Sequence, residues 1–229
     1  MSPKCILAFV MATSALTSSA ALAATGTPER VRGIVASAAA NSVTVDTAGK
    51  PVSVALTDKT AYLKVEKSSL DKIEKGSFIG TATKDVGGTQ VALEVVIFPP
   101  SMRGTGEGHY AWDKIPDTTL SGGAQTSSSM TNGNVSAVST SVPDVKSSMT
   151  NGDVSAAKSE GGVRHLVVTY AGGKQDVLVP PTAPIVTFQP GSKALLAKGA
   201  DIFIKATDTG SGLDANAVAV GVGGVKPPM

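Results

Sequence analysis

The sequence predicts an all-β fold built from two copies of one small β-module. Three observations carry that expectation. Short runs of alternating apolar and polar residues recur along the chain. The same order of runs, turns and glycines occurs twice. Between the two occurrences, Thr118–Ser159 is rich in Ser, Thr, Gly and Asn, the composition of a connecting stretch.

In the first copy, Val31–Ser37 and Ser42–Asp46 alternate, with Val43 and Val45 on one face and Thr44 on the other. Ala38–Asn41 makes the turn between them. Ala48-Gly49-Lys50-Pro51 is a second turn, because glycine supplies positive φ and proline opens the next strand without needing a donor. Val52, Val54 and Leu56 resume the alternation, and Ala61–Val65 gives a further strand. Ser68 caps one short helical turn, Leu70–Ile73, which Gly76 ends. Phe78–Thr83 and Gln90–Phe98 form a hairpin around Val86-Gly87-Gly88 and stop at Pro99-Pro100.

The second copy repeats the order. Leu166–Tyr170 and Asp176–Val179 flank Ala171-Gly172-Gly173-Lys174, and Ser192–Lys198 leads through Gly199 to Ile202–Thr207. Val218–Val222 is the last strand before Pro227-Pro228. The boundaries that follow are a signal peptide at 1–23, a first module at 28–100, a linker at 101–146 and a second module at 147–229.

A local duplication lies inside the polar stretch. Ser128-Ser129-Met130-Thr131-Asn132-Gly133-Asn134-Val135-Ser136-Ala137 recurs 19 residues downstream as Ser147-Ser148-Met149-Thr150-Asn151-Gly152-Asp153-Val154-Ser155-Ala156. Its Asn-Gly entry resembles Arg32-Gly33-Ile34-Val35, so the expected reading is a duplicated first strand. One copy then pairs in the sheet and the other is a surplus loop or edge strand.

The N-terminus reads as a cleavable export signal: Lys4 as the charged region, an apolar run from Ile6, and Ala21-Leu22-Ala23 before a mature start at Ala24. Cleavage removes Cys5, the one cysteine, so the modules are expected to fold without disulfides. No later stretch reaches the roughly 18 uninterrupted apolar residues of a membrane span. The expected location is the periplasm or the outside of the cell. A net charge of +2 is no footprint for nucleic acid, which wants a clustered basic face. Aromatic residues at 4% leave few stacking platforms for bases, and they place the cores on Val, Ile, Leu and Ala.

Three strands, a short helix and two more strands is the order of an OB-like barrel. The expected fold is therefore two small OB-like β-barrel modules in tandem, each with one short helix, joined by a Ser/Thr/Gly-rich linker. The Gly-Lys turns, the leucine-containing turns before Lys-Gly and the Val-rich last strands resemble bacterial exported OB-like domains of unknown function, the DUF5666 type. The layout, with Arg103–Asp113 between modules and a terminal Pro-Pro-Met, is similar to a group often labelled metal ABC transporter permease. The resemblance implies a fold and an export route. The permease label conflicts with the absence of any membrane-spanning apolar run.

The densest chemistry lies in Met102–Asp113, where Arg103, Glu107, His109, Tyr110, Trp112 and Asp113 stand among glycines. These are the candidate ligand- or partner-binding residues. Gly104, Gly106 and Gly108 do not make a phosphate loop, because no helix follows to point its N-terminus at a phosphate. Glu107, His109 and Asp113 offer carboxylate and imidazole donors for a metal, with His165 as a possible fourth. The plainer alternative is that Tyr110 and Trp112 tuck the segment onto a barrel while Arg103 and Glu107 pair. Asp208–Asp214 lacks the ladder of a calcium loop and reads as a hairpin turn. Tyr62, Phe78, Phe188 and Phe203 read as core or rim. No Gly-x-Ser-x-Gly elbow is present, so a hydrolase requires a Ser–His pair in a pocket.

The function expected is non-enzymatic binding or scaffolding of an unknown protein or small-molecule partner in the periplasm, with no cofactor and no nucleic acid. The alternatives are an accessory of metal transport or homeostasis, and a hydrolase.

Overall fold

The computed structural model describes residues 26–140 and 162–228. The export signal and the downstream copy Ser147–Ala156 lie outside the described residues. Within them the chain is all-β. Strands β1 (Thr27–Ala38), β2 (Ser42–Thr47), β3 (Lys50–Ala55) and β4 (Ala61–Lys67) come first, and a 3₁₀ turn at Leu70–Lys72 leads to β5 (Phe78–Val86) and β6 (Thr89–Ile97). Next come β7 (Gly108–Ala111), β8 (Ile115–Pro116), β9 (Gln125–Thr126) and β10 (Ser129–Ser139). The order of the first half then returns as β11 (Arg164–Tyr170), β12 (Gly173–Val179), β13 (Ile185–Pro190), a 3₁₀ turn at Lys193–Leu195, β14 (Asp201–Asp208) and β15 (Leu213–Gly221). Among the described residues no helix is long and apolar enough to cross a membrane.

The order of elements is the expected one, but their partners differ. The first ring of strands contains β1, β2 and β3 from the first half. It is completed by β14, antiparallel to β1, and β15, parallel to β3, both from the second half. The second ring reverses the debt. There β10, β11 and β12 are completed by β5, antiparallel to β10, and β6, parallel to β12. Two self-closed modules in tandem are therefore not what forms: each ring takes three strands from one half and two from the other.

The crossing is made by β4 and β13. β4 runs parallel to β15, β13 runs parallel to β6, and the two pair antiparallel from Val186 opposite Lys67 to Pro190 opposite Leu63. At about 3.3 Å per residue, a seven-residue strand carries the chain roughly 23 Å, enough to leave one ring and enter the other. Thr60 fixes the departure, its hydroxyl donating to the Ala215 carbonyl at 2.9 Å. Paired backbone bonds fix the arrivals. Gly76 N–H donates to the Val135 carbonyl, and Val135 N–H to Ser77, both at 2.8 Å. In the other ring Gly199 N–H donates to Val35 at 2.8 Å, and Val35 N–H to Ala200 at 2.9 Å.

The cores follow this exchange. One cluster packs Val31, Val35, Val43 and Val45 on Ile202, Ile204 and Val218. Another packs Ile79, Ala92 and Val95 on Val135, Leu166 and Val177. Between the rings Phe98 meets Phe78 and Phe188, each at 5.5 Å between ring centroids, in a third cluster with Val65 and Val186. Phe78 and Phe188 are thus core, as expected, while Tyr62 and Phe203 pack from the edge of their clusters.

The stretch 101–146, expected as linker, contributes β10 to the second ring. Its Ser/Thr/Asn composition conceals a strand in which Met130, Thr131, Asn132 and Val135 are buried. Its pairing with β11 shifts register between Val135 and Ala137, as β1 with β2 shifts between Val35 and Ser37. Gly33 and Gly133 precede these matching bulges, and a Cβ on either would collide with a carbonyl oxygen of the neighbouring strand, that of Asp46 or of Thr169. The likeness between the Arg-Gly and Asn-Gly entries is therefore a shared steric requirement.

Candidate functional site

Pro99-Pro100 ends β6, and a 3₁₀ turn at Pro100–Met102 swings the chain into the glycine-rich loop before β7. β7 then lies antiparallel on β10, Gly108 opposite Asn132 and Ala111 opposite Ser129. This backbone seats the six sequence-predicted residues in three separate groups.

The first group ties the loop to the second ring. Arg103 donates to the Asn134 side-chain oxygen and, at 2.8 Å, to the Gly76 carbonyl. Glu107 accepts the Ala171 N–H at 2.9 Å. The expected Arg103–Glu107 pair does not form, because each side chain is drawn to backbone or amide groups of the ring instead. The second group is His109, whose Nδ1 is 2.9 Å from the Thr131 hydroxyl and whose ring stacks on Tyr170 with centroids 6.4 Å apart. Thr131 is fully buried, so this contact satisfies a hydroxyl that has left water.

The third group reaches the first ring. Trp112 packs against Ala82, Leu93, Ile115 and Met130, and Tyr110 meets it edge-on at 6.0 Å. The Arg30 guanidinium lies 3.8 Å from the indole centroid. Asp113 accepts from Arg30 and Arg32, each at 2.8 Å. These ion pairs are about a third exposed, so each contributes at most about 1 kcal/mol. Together with the cation–π contact they clamp β1 to the segment after β7. The Tyr110 hydroxyl is pushed above its usual range by burial, partly offset by Arg30.

Glu107, His109, Asp113 and His165 do not converge. Glu107 and His109 face the second ring, Asp113 faces β1, and His165 Nε2 lies 3.1 Å from Asp176. Among the described residues no group of three or more His, Cys, Asp or Glu is placed to hold a metal ion.

Sequence reasoning missed a buried pair further along. Asp117, in the turn between β8 and β9, accepts from Lys84 Nζ at 2.7 Å and from the Thr119 hydroxyl at 2.7 Å. The Lys84 and Thr119 hydrogen bonds hold its carboxyl below the usual carboxylate range against the effect of burial. Nothing in Pro116-Asp117-Thr118 marks this residue, since its partner lies 33 positions away.

It also missed an open groove of about 1190 Å³ where the two rings meet. Its walls come from β1 and β2, the β4 exit, the Lys114–Thr118 segment, the Pro181–Val186 turn and the C-terminal residues. Lys67, Lys114 and Lys226 stand on it, and among the described residues none has an ion-pair partner. Prolines and apolar side chains such as Ile115 and Ile185 form much of the floor. Asp46, Glu94 and Asp201 line it as well, so the surface offers apolar walls for an extended segment with charges of both signs around them. Comparison with protein families, with characterised proteins and with solved structures finds no match for this chain.

Proposed function

We propose that this chain is a non-enzymatic, exported binding or scaffolding protein whose ligand seat is the groove between the rings. The observation that carries the reading is the groove itself: a concavity with apolar walls drawn from both halves and, at its rim, lysines that have no ion-pair partner among the described residues. The strand order supports reading each ring as an OB-like barrel, because the first strand pairs with the fourth and the third runs parallel to the fifth. Export to the periplasm rests on the Ala21-Leu22-Ala23 signal pattern. In the Arg103–Asp113 segment, the binding candidate by sequence, the side chains of Arg103, Glu107, His109 and Asp113 are engaged within the protein. In this reading it is a clamp beside the site.

The test is a thermal-shift panel of acidic peptides, anionic oligosaccharides and divalent metals on the full chain. A groove ligand at about a hundred times its Kd stabilises by about 2.7 kcal/mol, about 5–10 °C in Tm at this size. That shift disappears in Lys67→Glu/Lys114→Glu/Lys226→Glu. A ligand that binds the triple variant equally well overturns the groove assignment. A stoichiometric metal lost on His109→Ala would replace it with the metal-accessory reading.

A further inference from the structure

β1 and β10 hold matching places in the two rings, with Gly33 and Gly133 before the same bulge. What lies beside them differs. In β10 the backbone of Val135 bonds toward Gly76 and Ser77, on the β5 side. Backbone groups alternate along a strand, so those of Ser128, Met130 and Asn132 point the other way. β7 fills that side. Tyr110 stands opposite Met130, Gly108 stands opposite Asn132, and the Trp112 N–H donates to the Ser128 carbonyl at 2.9 Å. Upstream of β7, Arg103 reaches Asn134 and Glu107 accepts the Ala171 N–H, so this loop covers the corner where β10 meets β11.

In β1 the Val35 N–H donates to Ala200 and its carbonyl accepts from Gly199, on the β14 side. The same alternation turns the backbone groups of Pro28 and Arg30 away from β14. Among the described residues no strand pairs with Pro28 or Arg30 on that side, because the pairing with β2 starts at Ile34. Thr27–Arg30 are exposed. Pro28 has no N–H to offer there, which suits a strand edge. The corner beyond this edge is the groove. Gly33, Ile34, Asp46 and Ala48 line it. By register and turn position they are the counterparts of Gly133, Asn134, Thr169 and Ala171. In the second ring the chain covers this seat with its own segment, and in the first ring it leaves the seat open.

We infer that the groove takes an extended polypeptide, added antiparallel to β1 in the place that β7 holds on β10. The inference rests on the groove reading and names its ligand class. The Arg30 N–H donates to the added strand, the carbonyls of Pro28 and Arg30 accept from it, and its upstream residues pass over Ile34 into the groove. Backbone bonds supply attachment, and side-chain contacts supply selectivity. Ile34 is 48% exposed and stands where the second ring has Asn134. An apolar residue therefore suits the place of Arg103, which bonds that amide.

The probe is a synthetic peptide of residues 103–112 carrying Arg103→Leu, titrated into the isotope-labelled full chain. The inference expects a saturable shift of the Arg30 amide resonance and hydrogen exchange there slowed by about tenfold or more. Arg30→Ala keeps the backbone donor and should bind, whereas Arg30→Pro removes it and should not. The peptide gives a readout that no folding defect can mimic. N-methylation at Tyr110, whose N–H faces Arg30 in this register, should abolish binding to the wild-type chain. N-methylation at His109, whose N–H faces away, should leave it intact. No saturable shift at Arg30 with millimolar peptide, or binding that survives N-methylation at Tyr110, overturns the inference. A ligand that is lost in Lys67→Glu/Lys114→Glu/Lys226→Glu yet leaves Arg30 unprotected overturns strand addition while the groove reading stands. A peptide that protects Arg30 but binds the triple variant equally well supports strand addition and removes the groove reading.

Discussion

The Gly199 N–H donates to the carbonyl of Val35 at 2.8 Å, joining the turn before β14 to a strand of the opposite half. Gly76 makes the same bond to Val135 in the other ring. Each glycine ends the short turn that delivers the last two strands of its half, so each half is anchored at the point where it enters the other's ring. The exchange makes the two rings one folding unit. Far-UV circular dichroism and the fluorescence of Trp112 should therefore report a single coincident urea transition. Two separated transitions would mean that the rings are stable independently.

Gly33 admits no side chain, because a Cβ there would collide with the Asp46 carbonyl of β2. Gly33→Ala should destabilise the chain by about 2–4 kcal/mol, the cost of forcing backbone shifts in a packed sheet. A loss under about 0.5 kcal/mol in urea unfolding would show that β1 and β2 can separate at little cost.

Trp112 is half-buried, with its indole nitrogen shut off from solvent and without a hydrogen-bond partner among the described residues. Trp112→Ala should cost about 2–3 kcal/mol, below the range for a fully buried aromatic. Arg30→Ala should cost about 1 kcal/mol or less. A double-mutant cycle between them should give a coupling of about 0.5–1 kcal/mol, the size of an exposed cation–π contact. Zero coupling would reduce Arg30 to an ordinary surface arginine.

Asp117 predicts an acid dependence with a definite sign. Its carboxyl is held below its ordinary value of 3.8 by Lys84 and Thr119. The stability it contributes is therefore fully present above about pH 4 and is lost as pH falls through the lower folded value. Wild type should exceed Asp117→Asn in urea midpoint at pH 6, and the gap should shrink as pH falls below about 4. An unchanged gap across that window would mean that Asp117 acts through packing rather than through its charge.

Phe98, just past β6, touches Phe78 of β5 and Phe188 of the crossing strand β13. Phe98→Ala should cost about 3–5 kcal/mol, read as a lowered urea midpoint. A cost below 1 kcal/mol would show that the β4–β13 pairing alone holds the rings together.

Much of the strand pattern is legible from alternation, because Val43-Thr44-Val45 and Val52-Ser53-Val54 write their buried face directly. The hairpin at Gly87-Gly88 and the turn before Leu213 were equally readable. Partner choice was not. Phe78–Thr83 and Ile202–Thr207 carry the same alternation and suit either ring, so local pattern is neutral between self-closure and exchange. What decides is the path of β4 and β13, a long-range pairing with no short-range signal. The site shows the same division. Trp112 and Tyr110 stand out by composition, whereas Arg30 is an ordinary residue in a strand 83 positions from Asp113. Strand β10 was hidden for a different reason: its buried Thr131 meets His109, and the Asn132 amide nitrogen donates to Gly106 and Tyr110, contacts that only the folded chain supplies.

Disulfide pairing across the first ring tests the exchange most directly. Arg30 stands opposite Lys205, and by the repeat the residue matching Lys205 in the first half is Ala82. In full chains lacking Cys5, oxidation should link Arg30→Cys with Lys205→Cys within one molecule and leave Arg30→Cys with Ala82→Cys reduced. The reverse result, an efficient link through Ala82 and none through Lys205, would mean that each half closes its own ring.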